Sequence, residues 1–196
     1  MTPDDDGVSN EQLAAQAQQG GRAGFETLVK RHRAHLYRLA RRHVGQSDDA
    51  YDVVQDTFIA AWEALPRYDP GRPFLPWLRT IMLNKCRDFG RRQTVRRWLL
   101  RTYATEPSLA PTPDPASEAE DENSEAREAI RLERLDRAIS ALPASYKEPL
   151  LLTTVAGLTQ EAVAAQLHTT TKAIEMRLRR ARQQLAKVLA ELDGEG

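Results

Sequence analysis

The stretch TQEAVAAQLHTTTKAIEMRLRRAR, residues 159–182, decides how the rest of the chain is read. It holds a short helical pattern from about Thr159 to Leu167, a polar turn at 168–171, and a longer basic helical pattern from Lys172 to about Glu191. Ala164 is small enough to let two helices approach, and Val163, Leu167, Ile174 and Leu178 recur at the spacing of a shared apolar seam. The hydroxyls at 169–171 can accept from the free amides that open the second helix. That helix carries Lys172, Arg177, Arg179, Arg180 and Arg182. Arginine can bridge guanine O6 and N7 or clamp phosphates. The pattern therefore fits a helix-turn-helix whose second helix enters a DNA major groove. On this segment alone, an ordinary helical hairpin with a basic solvent face fits as well.

Working outward, the preceding residues are also helical in period. Ile130, Leu132, Leu135, Ile139 and Leu142 form one apolar stripe ended by Pro143, and Tyr146, Leu150, Leu151 and Val155 form another ended by Gly157. Upstream of these, residues 105–124 read TEPSLAPTPDPASEAEDENS, with four prolines, many acids and little apolar content. Such a stretch buries too little surface to offset the entropy of ordering, so a flexible linker is expected. It separates a unit at about 22–101 from one at about 128–192.

The first unit reads as three helices. Phe25, Leu28, Val29, Leu36, Leu39, Ala40 and Val44 mark one, stopped by Gly45. A second starts near Ser47 and Asp48, whose side chains can cap it. It puts Ala50, Val53, Val54, Thr57, Phe58, Ala61 and Trp62 on one face and Asp52, Gln55, Asp56 and Glu63 on the other. PRYDPGRP at 66–73 must be a loop. A third helix turns Phe74, Trp77, Leu78, Ile81, Met82 and Phe89 inward and Arg79, Lys85, Arg87, Arg91 and Arg92 outward. The N-terminal residues 1–21 are expected to be a disordered tail.

Composition narrows the class. Of 196 residues, 41% are hydrophobic and 29% charged, which suits small helical units better than one large core. Aromatics are 6%, against a sheet-rich fold. Cys86 is the single cysteine, so no internal disulfide can form and a reducing cytoplasm fits. No apolar run reaches the roughly 18 residues of a membrane span, and the acidic start MTPDDDG is unlike a signal peptide. The net charge of zero hides a segregation: residues 20–103 carry 17 bases and 8 acids, and 104–136 carry 3 bases and 10 acids. Residues 137–196 then carry 8 bases and 6 acids. Two basic blocks around an acidic spacer suit a polyanion-binding protein, although solvated helix faces give the same counts. His32 and His35 lack metal-site spacing with Cys86, and no phosphate loop, nucleophile elbow or HExxH occurs, so no catalytic or metal residue and no cofactor is expected.

The segment 135–185, LDRAISALPASYKEPLLLTTVAGLTQEAVAAQLHTTTKAIEMRLRRARQQL, resembles region 4 of extracytoplasmic-function sigma factors (group 4 of the sigma-70 family of RNA polymerase sigma factors). The segment 48–92, DDAYDVVQDTFIAAWEALPRYDPGRPFLPWLRTIMLNKCRDFGRR, resembles their region 2. The resemblance implies an all-α fold of two small domains, region 2 at 22–101 and region 4 with its helix-turn-helix at 128–192, joined by the acidic linker at 102–127. It implies a cytoplasmic, non-enzymatic initiation factor with no membrane insertion.

Asp52, Val53, Gln55 and Asp56 fall where the family docks the β′ clamp helices of core polymerase, which it also contacts at the β flap. A polar, reversible contact suits carboxylates and an amide. Tyr68, Arg72, Asn84, Lys85, Arg87 and Arg91 fall where the family captures single-stranded −10 DNA, which needs stacking surface and positive charge. Thr171, Lys172, Glu175, Met176, Arg179 and Arg180 occupy the positions that face duplex −35 DNA. His168 and Lys172 stand where glycine is common, and Glu175 where a base is usual. Glu175 can accept from cytosine N4 or repel phosphate, and His168 faces a left-handed backbone. An anti-sigma factor is a further implied partner, and the acidic linker is expected to mimic nucleic acid in a polymerase channel. A dimeric helix-turn-helix regulator and a helical scaffold are the competing classes; the first needs a palindromic operator, the second no DNA.

Overall fold

The computed structural model describes residues 7–103 and 124–193, and these contain helices and no strand. The acidic linker expected at 102–127 lies mostly outside the described residues. In chain order the helices are α1 (Asn10–Gln18), α2 (Arg22–Val44), α3 (Ser47–Ala64) and α4 (Phe74–Tyr103), then α5 (Ser124–Ala141), α6 (Ala144–Thr154), α7 (Gln160–Gln166) and α8 (Thr171–Asp193). A 3-10 turn at Leu65–Arg67 contains Pro66 and leads into the loop before α4.

The first four helices pack around one apolar core. Leu28, Leu36 and Leu39 of α2 meet Val53, Val54 and Phe58 of α3 and Phe74, Leu78 and Met82 of α4. Each such side chain contributes about 1.5–3 kcal/mol when fully buried. Gly45 ends α2 at φ 91, a left-handed conformation that only glycine adopts readily.

Residues 10–18, expected to be part of a disordered tail, instead form α1 and correct that reading. Its Ser9 hydroxyl accepts from the Gln12 amide at 3.1 Å while the Gln12 side chain accepts from the Ser9 amide at 2.8 Å, a reciprocal cap. Leu13, Ala14 and Ala17 are buried. Glu11 Oε1 accepts from the Phe74 amide at 2.9 Å, which caps the start of α4. A nine-residue Ala/Gln helix has little stability alone, so packing and this cap make it, and neither shows in local periodicity.

Four finer expectations also change. Trp62 is 42% exposed rather than inward, because the core stripe of α3 has drifted past it after Ala61. Arg79, expected outward, is buried, its Nε directed at the Leu75 carbonyl at 3.4 Å. Leu132 is 48% exposed, since the inward face of α5 is set by Ala138 and Ile139 near its C-terminus. The residue before α3 is Gln46, and no side chain caps that end.

In the second unit, Leu150, Leu151 and Leu152 of α6 pack with Val163 of α7 and Ile174, Leu178 and Ala181 of α8. The run Lys147–Leu152 of α6 is buried, Lys147 and Glu148 included, because α7 and α8 cover one flank and α2 covers another. The two units therefore touch: α5 and α6 lie against α2.

Candidate nucleic-acid and polymerase interfaces

The helix-turn-helix is built by local hydrogen bonds. Thr159 Oγ1 accepts from the Ala162 amide at 3.2 Å and starts α7. The chain then reverses through His168 at φ 50, and the Thr169 amide bonds the Ala164 carbonyl at 2.9 Å. The left-handed residue expected from sequence is thus present, occupied by a side chain that adopts it at a cost. Of the three threonines, Thr170 is the cap: its Oγ1 accepts from the Ala173 amide at 3.2 Å.

α8 divides cleanly into two faces. Ile174, Leu178 and Ala181 are buried against α6 and α7, while Thr171, Lys172, Glu175, Met176, Arg179 and Arg180 are all exposed on the other side. Lys172 Nζ lies 2.9 Å from Glu175 Oε2, so the Glu175 charge is paired within the helix. Arg180 Nη1 is 3.5 Å from the Tyr146 hydroxyl, and its guanidinium remains solvent-accessible.

The residues expected at the −10 strand differ widely in exposure. Tyr68 is only 5% exposed, with its ring 4.8 Å from Trp77 and 5.6 Å from Phe74, and its hydroxyl donates to the Arg72 carbonyl. Burial, with Glu11 and Asp69 nearby, pushes that hydroxyl up to about 12. In this form Tyr68 is core and offers no stacking face, which corrects the expectation for it. Trp77 and Phe89 pack against the same core, as expected. Arg72 is exposed beside Asp69 at 3.5 Å. On α4, Arg91 pairs with Asp88, Lys85 is half-buried, and exposed Asn84 accepts from Arg87 Nη1 at 3.0 Å. Arg87 itself reaches across to the second unit.

On α3, Asp52 and Gln55 are exposed and Asp56 is half-buried, facing Phe89, Arg92, Gln93 and Arg96 of α4 across a shallow groove. Val53 is 3% exposed and lines the floor of this groove. Burial, Asp52 and Asp48 raise the Asp49 carboxyl, a mark of dense negative charge at this end of α3. The other flank of α3 is apolar: Tyr51, Ile59 and Trp62 are exposed beside Phe25 and Tyr37 of α2.

Sequence reasoning missed a buried polar cluster between the units. Glu148 of α6 is 3% exposed and accepts from Arg87 Nε at 2.6 Å and Nη2 at 2.5 Å. Lys147 Nζ donates to the carbonyls of His43 at 2.8 Å and Ser140 at 2.6 Å, near the C-terminal ends of α2 and α5. A cation there meets the negative ends of two helices. The signal available was Lys147-Glu148 inside YKEPLLL, a charged pair within an otherwise apolar run. Among the described residues no cluster could hold a metal ion, and no helix is long and apolar enough to cross a membrane. Buried His32 lies with its ring 5.9 Å from Phe74, a packing position.

Comparison with known proteins matches the two units separately. Residues 28–96 match the family Sigma-70 region 2, and residues 132–185 match Sigma-70, region 4. The chain is 40% identical over 192 residues to the RNA polymerase sigma factor CnrH of Cupriavidus metallidurans, covering 96% of this chain and 97% of that one. It is 30% identical to the ECF RNA polymerase sigma factor SigE of Mycolicibacterium smegmatis, covering 100% of this chain and 73% of that protein. Among solved structures, CnrH in complex with the cytosolic domain of CnrY aligns over 95% of this chain and 99% of that one, with TM-score 0.64 and 34% identity. With both regions present in order and relatives aligned over 73–97% of their length, the chain belongs to the extracytoplasmic-function group of the sigma-70 family, factors that direct RNA polymerase to promoters.

Proposed function

We propose that the two units divide promoter recognition as their surfaces suggest. The exposed face of α8 reads duplex −35 DNA, with Arg179 and Arg180 reaching base edges or phosphates and Lys172 and Thr171 near its N-terminus. The Asp52, Gln55 and Asp56 face of α3 binds the β′ clamp helices of core polymerase, a polar and reversible contact. Arg72, Asn84, Lys85, Arg87 and Arg91 supply hydrogen bonds and positive charge for the melted −10 strand. The factor has no catalytic chemistry of its own and acts beside polymerase in the cytoplasm. The observation that carries this reading is the two-faced α8: an apolar face packed on α6 and α7, and a cationic, unobstructed face opposite it.

An anti-sigma factor is proposed as a further partner, supported by the structure of CnrH with the cytosolic domain of CnrY. The test is promoter-dependent run-off transcription by sigma-free core polymerase with and without this protein. Specific transcripts only with the protein support the reading. Changing Asp52 and Asp56 to Lys is expected to weaken polymerase binding at least tenfold and leave −35 duplex binding intact. Unaltered holoenzyme assembly would remove α3 from the interface.

A further inference from the structure

The loop 66–73 carries Arg72 of the proposed −10 set, and both of its ends are tied to α1. At the entry, the carbonyls of Leu65 and Tyr68 accept from Gln18 Nε2 at 2.8 Å and 2.7 Å. Carbonyls at the end of a helical segment have lone pairs left unmet within it, and one amide nitrogen offers two hydrogens, so a single side chain serves both. At the exit, Glu11 Oε1 accepts from the Phe74 amide at 2.9 Å and closes the start of α4. Glu11 and Gln18 lie about two turns apart on α1, so both project from one face of it.

α1 is in turn fixed to α2. A Cβ at Gly24 would lie 2.7 Å from the Leu13 carbonyl oxygen, so the two backbones meet where no side chain fits. Arg31 of α2 donates from Nη1 to the Val8 carbonyl at 3.1 Å and to Asn10 Oδ1 at 2.8 Å. Within the loop, the Gly71 amide donates to Asp69 Oδ1 at 2.9 Å and the Arg72 amide to the Asp69 carbonyl at 3.0 Å. The hydroxyl of buried Tyr68 donates to the Arg72 carbonyl from the core side. Asp69, Pro70, Gly71 and Arg72 are left exposed at the tip. The loop is thus held at both ends and across its turn while its tip faces solvent. A free loop loses conformational entropy when it grips a ligand, and one already fixed loses less.

We propose that Gln18 and Glu11 are positioning residues for promoter recognition, setting the 66–73 loop in the conformation that presents Asp69 and Arg72 to an unpaired base. The assignment rests on the proposed reading of the melted −10 strand and adds to it the residues that shape the reader. Both are half-buried and act through the backbone of the loop. At the tip, Asp69 Oδ2 lies 3.5 Å from Arg72 Nε, so an acceptor and a set of donors stand side by side. Such a pair can read the edge of a base, whereas the arginines of α4 supply charge that any strand attracts. Losing the brace therefore costs discrimination among bases more than affinity for the strand.

The experiment presents holoenzyme, assembled from sigma-free core polymerase and the full chain, with a pool of single-stranded oligodeoxynucleotides randomised through their central positions, and sequences the bound strands. The unsubstituted factor is expected to enrich particular bases, and Arg72→Ala to abolish the enrichment at the position the loop reads. Gln18→Met keeps the length of the side chain but has no donor. It is expected to reduce enrichment at that same position about 2–10-fold, the effect of a lost hydrogen bond, while affinity for the pool as a whole falls by less. Glu11→Ala is expected to lower the enrichment likewise, and Glu11→Gln, which retains an acceptor oxygen, to restore it. The Glu11 pair decides the outcome where Gln18→Met does not fold. Partial unfolding would scale down all binding alike and leave the enrichment intact, so the profile separates positioning from stability. Enrichment unchanged in both Gln18→Met and Glu11→Ala, or a loss shared equally by every position, overturns the positioning role. No enrichment by the unsubstituted holoenzyme would instead overturn the proposed −10 reading itself.

Discussion

At the scale of single residues, the recognition helix and its turn make separable demands. Arg179 and Arg180 are exposed on the face of α8 that the fold leaves open. Replacing either with Ala is expected to cost about 1–3 kcal/mol in −35 duplex binding where it makes a bidentate base contact, with the loss concentrated at one base pair. Anisotropy titration of promoter variants checks this, and an equal loss on every sequence would mark a phosphate contact instead. His168 stands apart from these. It holds φ 50, which glycine reaches without a Cβ clash. His168→Gly is expected to stabilise the second unit by up to about 1 kcal/mol, the relief of strain being partly offset by the greater freedom of glycine when unfolded. Thermal unfolding of the full chain reads that difference.

At the scale of elements, α1 depends on contacts that join it to α4. Burial works to raise the Glu11 carboxyl, but the Phe74 amide, its own amide, the Ser9 hydroxyl and His32 outweigh it and hold the group below its ordinary range. The carboxylate therefore serves as a cap for a helix 63 residues away in sequence. Glu11→Ala is expected to cost about 1 kcal/mol, within the range for lost N-caps, and to speed amide exchange at Phe74 before it affects the centre of α4. Unchanged exchange at Phe74 would show that α4 starts without this cap.

At the scale of the whole molecule, the seam between the units responds to pH. Burial lowers His43, which faces Glu148, Lys147 and Arg87, against the pull of the Glu148 carboxylate 3.9 Å away. Exposed on opening, His43 takes a proton near pH 6.5, so the open form binds more protons below that value and docking weakens as pH falls through 6.5. Glu148 acts in the same direction. Burial would raise it, but neighbouring His43 and Arg87 hold it below its ordinary 4.5, and its contribution is lost as pH falls through that lowered value. Burial lowers Lys147 to about 8, so it too favours the docked form more as pH rises above 8. Cys86, pushed up to about 12 chiefly by burial, opposes this only above its ordinary value of 9. Interdomain distances are therefore expected to lengthen between pH 7.5 and 5, and a constant distance would show that His43 stays enclosed.

Much of the architecture follows from the sequence because its causes are local. The Thr159 cap, the His168 turn and the apolar seam of Val163, Ile174 and Leu178 all lie within twenty residues, so period and capping chemistry reveal the helix-turn-helix. Gly45 and Pro143 likewise mark boundaries where local backbone chemistry rules. The same logic separated the exposed from the packed face of α8. It failed where long-range packing outweighs local pattern. Only the tertiary structure makes α1 a helix, turns Tyr68 into core, buries Arg79, and joins Glu148 to Arg87 across 61 residues. A charge in YKEPLLL has no visible partner in one dimension; its meaning depends on which surface the fold brings against it, and burial decides that the pair must form.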